Sequence, residues 1–186
     1  MGYTHYWYTH RDAPADAYGR TAMDAKRLFV VAAELGYDLA GWDGSGEPEC
    51  SEGAIAFNGR AGDPVDQSYD SCRINAQWEP NRWSSPTADT PDGADPALDP
   101  TGWRFDCCKI GFLDPAGFRP YGDVVEALLA RAKVHYGVHM VVASDGEWEQ
   151  PGDGGYAWGT WAKGRDLYQL AYGEAPVCPF ADEVDA

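Results

Sequence analysis

The segment from Glu79 to Gly102 constrains the fold most, because it carries five prolines, at positions 80, 86, 91, 96 and 100. Proline fixes φ and lacks a backbone N–H, so neither a helix nor a strand can continue through this segment. Loops of this length are uncommon inside a compact domain and usually serve as lids, binding loops or disordered insertions. We therefore predict a long Pro-rich loop at 79–102, which is a candidate binding site by its position.

The opening run predicts a β-strand over residues 2–9, GYTHYWYT, because aromatic and β-branched residues dominate it. Side chains alternate along a strand, so two faces result. One face carries Tyr3, His5 and Trp7, and the other carries Thr4, Tyr6 and Tyr8. Both faces are large and partly apolar, which predicts a central strand covered on two sides.

The next two elements are a helix and a strand pair. The residues TAMDAKRLFVVAAELG predict a helix that begins with Thr21 as its N-cap and ends at Gly36. Residues 53–59, GAIAFNG, predict a short strand that ends in an Asn-Gly turn. Residues 67–74 have a weaker strand pattern and are its predicted partner.

Strands and helices alternate again after the loop. Residues 103–112 return to strand composition, and residues 121–137 predict an amphipathic helix. The apolar run at 138–146 predicts a buried strand, and residues 160–173 predict a last helix capped by Thr160. The order of elements predicts an α+β fold: a mixed sheet of about five strands with two or three packed helices.

Length and charge restrict the domain count and the partners. A chain of 186 residues predicts one domain, at 1–178, followed by an acidic tail at 179–186. The net charge of −16 disfavours direct nucleic-acid binding and polybasic attachment to a membrane. No run of about 18 apolar residues and no signal-peptide pattern is present, so we predict a cytoplasmic protein.

The cysteines fit a reducing compartment. Their number is odd, five, and none forms a CxxC pair, so reduced thiols are expected. A bridge between Cys50 and Cys72 remains an alternative, since both lie beside loop signals.

His5 and Asp145 are the two candidate catalytic residues. His5 either packs beneath the sheet with its hydrogen bonds satisfied, or acts as a general base at the floor of an aromatic pocket. Asp145 lies where a strand ends and would orient His5; alternatively, it is a turn aspartate that bonds its own backbone.

The motifs of other catalytic classes are absent from the sequence. His135 and His139 are four residues apart, but Gly137 interrupts the helix that would place them on one face. Neither a nucleophile elbow, nor a phosphate loop, nor a dinucleotide fingerprint, nor an EF-hand loop is present. We therefore predict no metal and no cofactor.

Aromatic residues outside the periodic segments are the remaining excess, among eight Trp and eleven Tyr in all. Such rings stack on bases and sugars or anchor interfaces, although large residues also fill a small core. Arg82 and Arg104 flank the Pro-rich loop and have the chemistry to bind an anionic group. The predicted ligand-binding residues, which would share one recess beneath the loop, are Tyr3, His5, Trp7, Arg82, Trp83, Trp103, Arg104 and Trp148.

Five stretches carry a family resemblance. They are MGYTHYW at the start, AFNG at 56–59, FDCCKIG at 105–111, RPYGDVVEALLARAKVHYG at 119–137 and VVASDGEW at 141–148. With them the chain resembles a set of uncharacterised small proteins of bacteriophages and bacteria that begin with MGYTHYW or MGYTHYF. The resemblance implies a phage-like protein of the host-cell cytoplasm. It implies no activity and no catalytic residue.

Three hypotheses for the function remain. The leading one is a non-enzymatic binding protein that holds a small, nucleotide-like ligand or a host protein in an aromatic pocket. The second is a hydrolase with His5 as the base, which requires the side chains of His5 and Asp145 to meet in one cleft. The third is an acidic inhibitor that mimics nucleic acid and occupies a basic protein.

Overall fold

The chain folds into three α-helices and two small β-sheets within the described residues, which confirms the α+β class. The computed structural model describes residues 2–62, 65–78, 102–113, 117–149 and 160–180. In chain order the elements are β1 (Gly2–His10), α1 (Ala17–Glu34), β2 (Leu39–Ala40), β3 (Glu49–Cys50), β4 (Ala54–Gly59), β5 (Cys72–Asn75), β6 (Trp103–Leu113), β7 (Gly117–Phe118), α2 (Tyr121–Tyr136), β8 (Met140–Ser144) and α3 (Ala162–Tyr172). Of the predicted loop at 79–102, only Gly102 is described, so Arg82 and Trp83 lie outside the described residues. Of the predicted tail at 179–186, residues 181–186 lie outside them.

The first sheet is antiparallel and has the strand order β7-β6-β1-β8. His5 of β1 lies opposite Cys108 of β6 on one side and Ser144 of β8 on the other. The predicted strands at the start of the chain and at 103–112 are therefore confirmed, and β1 is a central strand.

One face of β1 is fully buried and the other is not. Tyr3, His5 and Trp7 are at most 4% exposed, whereas the residues between them are half-buried. The helix α2 packs on the buried face, where Gly122 lies close to Ile110 and Tyr3. The expectation of two covered faces was wrong for the described residues, because α2 lies on the inner face alone.

The second sheet is built around β4, which is buried along its whole length. It pairs antiparallel with β2, β3 and β5, so the strands form two sheets rather than the expected one. Asn58 and Gly59 lie inside β4 and pair with β2 instead of forming a turn. The buried Asn58 carboxamide oxygen accepts the backbone N–H groups of Gly59 and Tyr69, which fixes it within the sheet.

The helices end as predicted, but two begin elsewhere. Thr21 lies inside α1, where its buried hydroxyl donates to the Ala17 carbonyl at 2.8 Å, so it is not an N-cap. Thr160 bridges to Glu147 and does not cap α3. Gly173 follows α3 with φ of +77°, the left-handed conformation that ends helices.

The core lies between the inner face of the first sheet and the helices, and α2 contacts both α1 and α3. Cys50 and Cys72 are free thiols, and Cys50 donates to the Ala22 carbonyl on α1. Among the described residues, no helix combines the length and the apolar character that crossing a bilayer requires.

Candidate functional site

A cavity of about 290 Å³ lies beside the C-terminal half of β1. One wall is formed by β1 and β6, a second by the turn after β1 and the first turn of α1, and a third by Ile74–Trp78. The volume is close to the lower end of the range for small-molecule sites, about 300 to 1,000 Å³.

Strand alternation brings four lining residues together. Trp7 and Thr9 are two residues apart on β1, and the strand register sets them opposite Asp106 and Arg104 of β6. Because side chains two apart share a face, the buried face of β1 continues directly into this cavity wall.

Aromatic rings from four different segments line the cavity. Trp7 comes from β1, Tyr18 from α1, Trp78 from the residues after β5, and Tyr136 from the last turn of α2. Tyr18 donates its hydroxyl to the Ser51 carbonyl at 2.8 Å. Such walls favour a flat, partly apolar molecule.

Three donors of these walls have no hydrogen-bond partner among the described residues. The Nε1 atoms of Trp7 and Trp78 are buried and unpartnered. The Tyr136 hydroxyl also makes no hydrogen bond within the described part of the chain, and Tyr136 is 6% exposed. Burial raises the pKa of Tyr136 to about 12, so the hydroxyl keeps its proton. A buried unpartnered donor costs about 1 to 3 kcal/mol, so acceptor atoms that reached the two indole N–H groups would be stabilised here.

Arg104 and Asp106 form a bidentate ion pair on the same wall. The Arg104 Nε donates to Asp106 Oδ2 at 2.8 Å, and its Nη2 donates to Oδ1 at 3.0 Å. The side chains are only 12% and 14% exposed, so solvent screens the pair weakly. Because the two charges offset each other, the wall is polar but close to neutral. Arg11, an exposed residue at the rim, adds one positive charge.

The predicted ligand-binding residues separate into different places. Trp7 and Arg104 both line the cavity. Trp103 packs edge-on against the lining residue His10, with ring centroids 4.9 Å apart, and does not line the cavity itself. Arg82 and Trp83 lie outside the described residues.

Trp148 belongs to a second aromatic cluster beyond the end of β8. Its ring packs against Trp161 and Phe180, with centroids 5.7 and 6.2 Å away. Tyr3 and His5 lie deeper in the core on β1 and do not line the cavity. The expected single recess was therefore wrong for the described residues, because a nine-residue strand spreads its alternate side chains over too great a length.

His5 is fully buried and is held by Ser144. The Ser144 Oγ accepts the N–H groups of Gly146 at 2.9 Å and of Trp161 Nε1 at 3.3 Å, so its own proton points to His5 Nδ1 at 3.0 Å. This network assigns the ring proton of His5 to Nε2. Burial lowers the pKa of His5 to about 3, so the ring is neutral near pH 7.

Glu126 of α2, rather than Asp145, is the carboxyl group beside His5. Glu126 Oε1 lies 3.7 Å from His5 Nε2 and accepts the Tyr3 hydroxyl at 2.8 Å. Burial, together with the nearby Asp123 carboxylate, raises the pKa of Glu126 well above its ordinary value. The pair is therefore held in its neutral form within the core.

Asp145 lies on the other side of the first sheet. Its Oδ2 accepts the Thr4 backbone N–H at 3.1 Å and the Tyr6 hydroxyl at 3.3 Å. The predicted convergence of Asp145 with His5 was wrong, because Asp145 bonds residues of the outer face while His5 belongs to the inner face.

Ser144, His5 and Glu126 form a line of hydroxyl, imidazole and carboxyl groups. The Ser144 oxygen already accepts two hydrogen bonds, and His5 and Glu126 are 0% exposed. A nucleophile needs a free lone pair and access to substrate. This arrangement therefore stabilises the junction of β1, β8 and α2 rather than providing a reactive centre.

The cavity residues that sequence reasoning missed come from long-range packing. Tyr18 and Tyr136 lie in helices, where aromatic residues are usual core components, so no local signal marks them. Trp78 had one signal, its position in a segment without periodicity.

Within the described ranges, no group of His, Cys, Asp and Glu side chains is arranged to hold a metal ion. His135, which was weighed as a ligand, instead bonds Asp24 at 2.7 Å. Comparison with known proteins found no matching family model, no similar curated protein and no similar solved structure. The candidate site therefore depends on its own geometry.

Proposed function

We propose that this chain is a phage-like, non-enzymatic binding protein of the host cytoplasm whose cavity holds a small planar ligand. The observation that carries the proposal is the pair of buried, unpartnered indole donors on the aromatic walls, from Trp7 and Trp78. A ligand with acceptor oxygens supplies the partners that these groups lack. The small, concave shape favours a small molecule over a host protein as the occupant.

The hydrolase hypothesis has weaker support. A general base works best with a pKa near the operating pH and within reach of the substrate. His5 has its pKa lowered to about 3 by burial and is fully buried. The acidic-inhibitor hypothesis stays a prediction, because no contact among the described residues favours it.

Ligand-observed NMR on the full chain tests the proposal with four probes: benzamide, benzoate, hypoxanthine and uridine. The Trp78→Phe variant removes the Nε1 donor and keeps an aromatic ring. Trp42→Phe is the matched control, because Trp42 is 59% exposed and lies outside the cavity. We expect at least one probe to bind the parent chain. Its Kd should be about tenfold higher in Trp78→Phe, which corresponds to the loss of one hydrogen bond, and unchanged in Trp42→Phe.

Native mass spectrometry of the protein purified from its host gives a second readout. A retained small molecule that Trp78→Phe loses and Trp42→Phe keeps would support the proposal. The proposal fails if no probe binds, or if both variants bind the probes as the parent chain does.

A further inference from the structure

The charge balance of the cavity restricts the ligands that it accepts. Arg104 is held bidentately by Asp106, so an anionic group placed against this wall would lose its hydration without meeting an unpaired cation. Arg11 is exposed at the rim, where solvent and salt screen its charge. The interior therefore favours an uncharged molecule.

The unpartnered groups restrict the ligand further. An indole N–H donates a hydrogen bond and cannot accept one. Trp7 and Trp78 each contribute such a donor, and the Trp7 side chain is only 1% exposed. A ligand that pairs with these two donors needs an acceptor atom on a flat ring, and a ring carbonyl provides one.

We infer that the ligand is an uncharged oxo-heterocycle: a nucleobase or nucleoside whose ring carbonyls accept from the indoles of Trp7 and Trp78. This inference rests on the proposed function and adds the ligand's chemical class to it. A ring of this size suits a cavity of about 290 Å³. Gln77, an exposed lining residue, offers an amide that both donates and accepts, which suits the ring N–H groups or a ribose.

Matched pairs of probes test the inference by isothermal titration calorimetry. Hypoxanthine differs from purine by the C6 carbonyl and the N1–H that accompanies it, and uridine 5′-monophosphate differs from uridine by the phosphate. We expect hypoxanthine to bind the parent chain at least about tenfold more tightly than purine, and this ratio to fall to about threefold or less in Trp78→Phe. Uridine 5′-monophosphate should bind no more tightly than uridine, and benzoate more weakly than hypoxanthine.

The outcomes separate the inference from the proposed function. Equal binding of purine and hypoxanthine, or tightest binding of benzoate or the monophosphate, overturns the inference. If Trp78→Phe still weakens the binding of whichever probe binds, and Trp42→Phe does not, the proposed function stands. A monophosphate preference that Arg11→Gln abolishes would place the recognition at the rim. If no probe of either set binds, both the inference and the proposed function fall.

Discussion

Ser144 shows how much of this core depends on one hydroxyl group. Its oxygen meets the Gly146 N–H, the Trp161 indole N–H and His5 Nδ1 within 3.3 Å. These partners come from β1, the turn after β8 and the residue before α3. A single side chain therefore satisfies three polar groups from different segments. None of these three groups has another hydrogen-bond partner among the described residues.

Ser144→Ala should destabilise the protein by about 2 to 3 kcal/mol. The substitution leaves buried polar groups without a partner, at about 1 to 3 kcal/mol for each one that water does not reach. Urea unfolding monitored by far-UV circular dichroism measures the loss. Ser45→Ala, at an exposed serine bonded to Asp43, is the control and should change stability by no more than about 0.5 kcal/mol. Equal effects would contradict the role given to Ser144.

Single residues also show what sequence reasoning can and cannot predict about the site. Trp7 was predicted from its place on a strand with a clear pattern, and Arg104 from its position beside the Pro-rich loop. The pairing of His5 with Glu126 was not predictable, since 121 positions separate them and α2 alone brings Glu126 beneath β1. Alternation gives the face of a residue, whereas its partner across a layer depends on packing.

At the scale of elements, the close approach of α2 and α3 depends on a glycine. A Cβ on Gly164 of α3 would overlap the Glu126 side chain of α2 and lie 3.0 Å from the Asp123 carbonyl oxygen. Gly19 of α1 is also helical, but a Cβ there would meet nothing within 4 Å. Both glycines are helical, but only Gly19 has room for a side chain.

Gly19→Ala and Gly164→Ala should change stability in opposite directions. Alanine favours a helix over glycine by up to about 1 kcal/mol, so Gly19→Ala should raise the thermal midpoint. In Gly164→Ala the overlap forces the helices apart, at a cost of about 1 to 3 kcal/mol that exceeds the helix gain. Thermal unfolding of both variants decides the point. A raised midpoint in Gly164→Ala would show that the helices separate without loss.

The predicted elements agree best with the structure where the sequence has a single clear periodicity. β1, β6 and α2 have long period-two or helical patterns, and their bounds agree with prediction to within one or two residues. The start of α1 was misplaced because Thr21 resembles a cap, while its hydroxyl bonds back to Ala17 inside the helix. The division into two sheets was not predictable, because a strand pattern does not show which strands pair, and β2 and β3, which complete the second sheet, are only two residues long.

At the scale of the whole molecule, burial disfavours the charged forms of the ionisable groups in the core. Burial lowers the pKa of His5 to about 3, raises that of Asp123 to about 6, and raises that of Glu126 well above its ordinary value of 4.5. A carboxyl group with a raised pKa contributes stability that is lost as pH rises from its unfolded to its folded pKa. His5 acts in the opposite direction, since its contribution is lost as pH falls below 6.5.

Glu126→Gln isolates one of these contributions, because His5 and Asp123 titrate in both proteins and cancel in the difference. We expect the free energy of unfolding of the parent chain, minus that of the variant, to be constant below about pH 4.5. Above that value the difference should fall by at most about 1.4 kcal/mol per pH unit until Glu126 ionises.

Urea unfolding at about pH 4, 6 and 8 measures the slope, and Glu34→Gln, at an exposed glutamate of α1, controls for the lost charge. The slope is informative even if the amide packs less well against Gly164, because a packing defect shifts the difference equally at every pH. A difference that stays constant from acid to alkaline pH would mean that Glu126 has the same pKa in the folded core as in the unfolded chain, and the neutral pairing with His5 would be wrong.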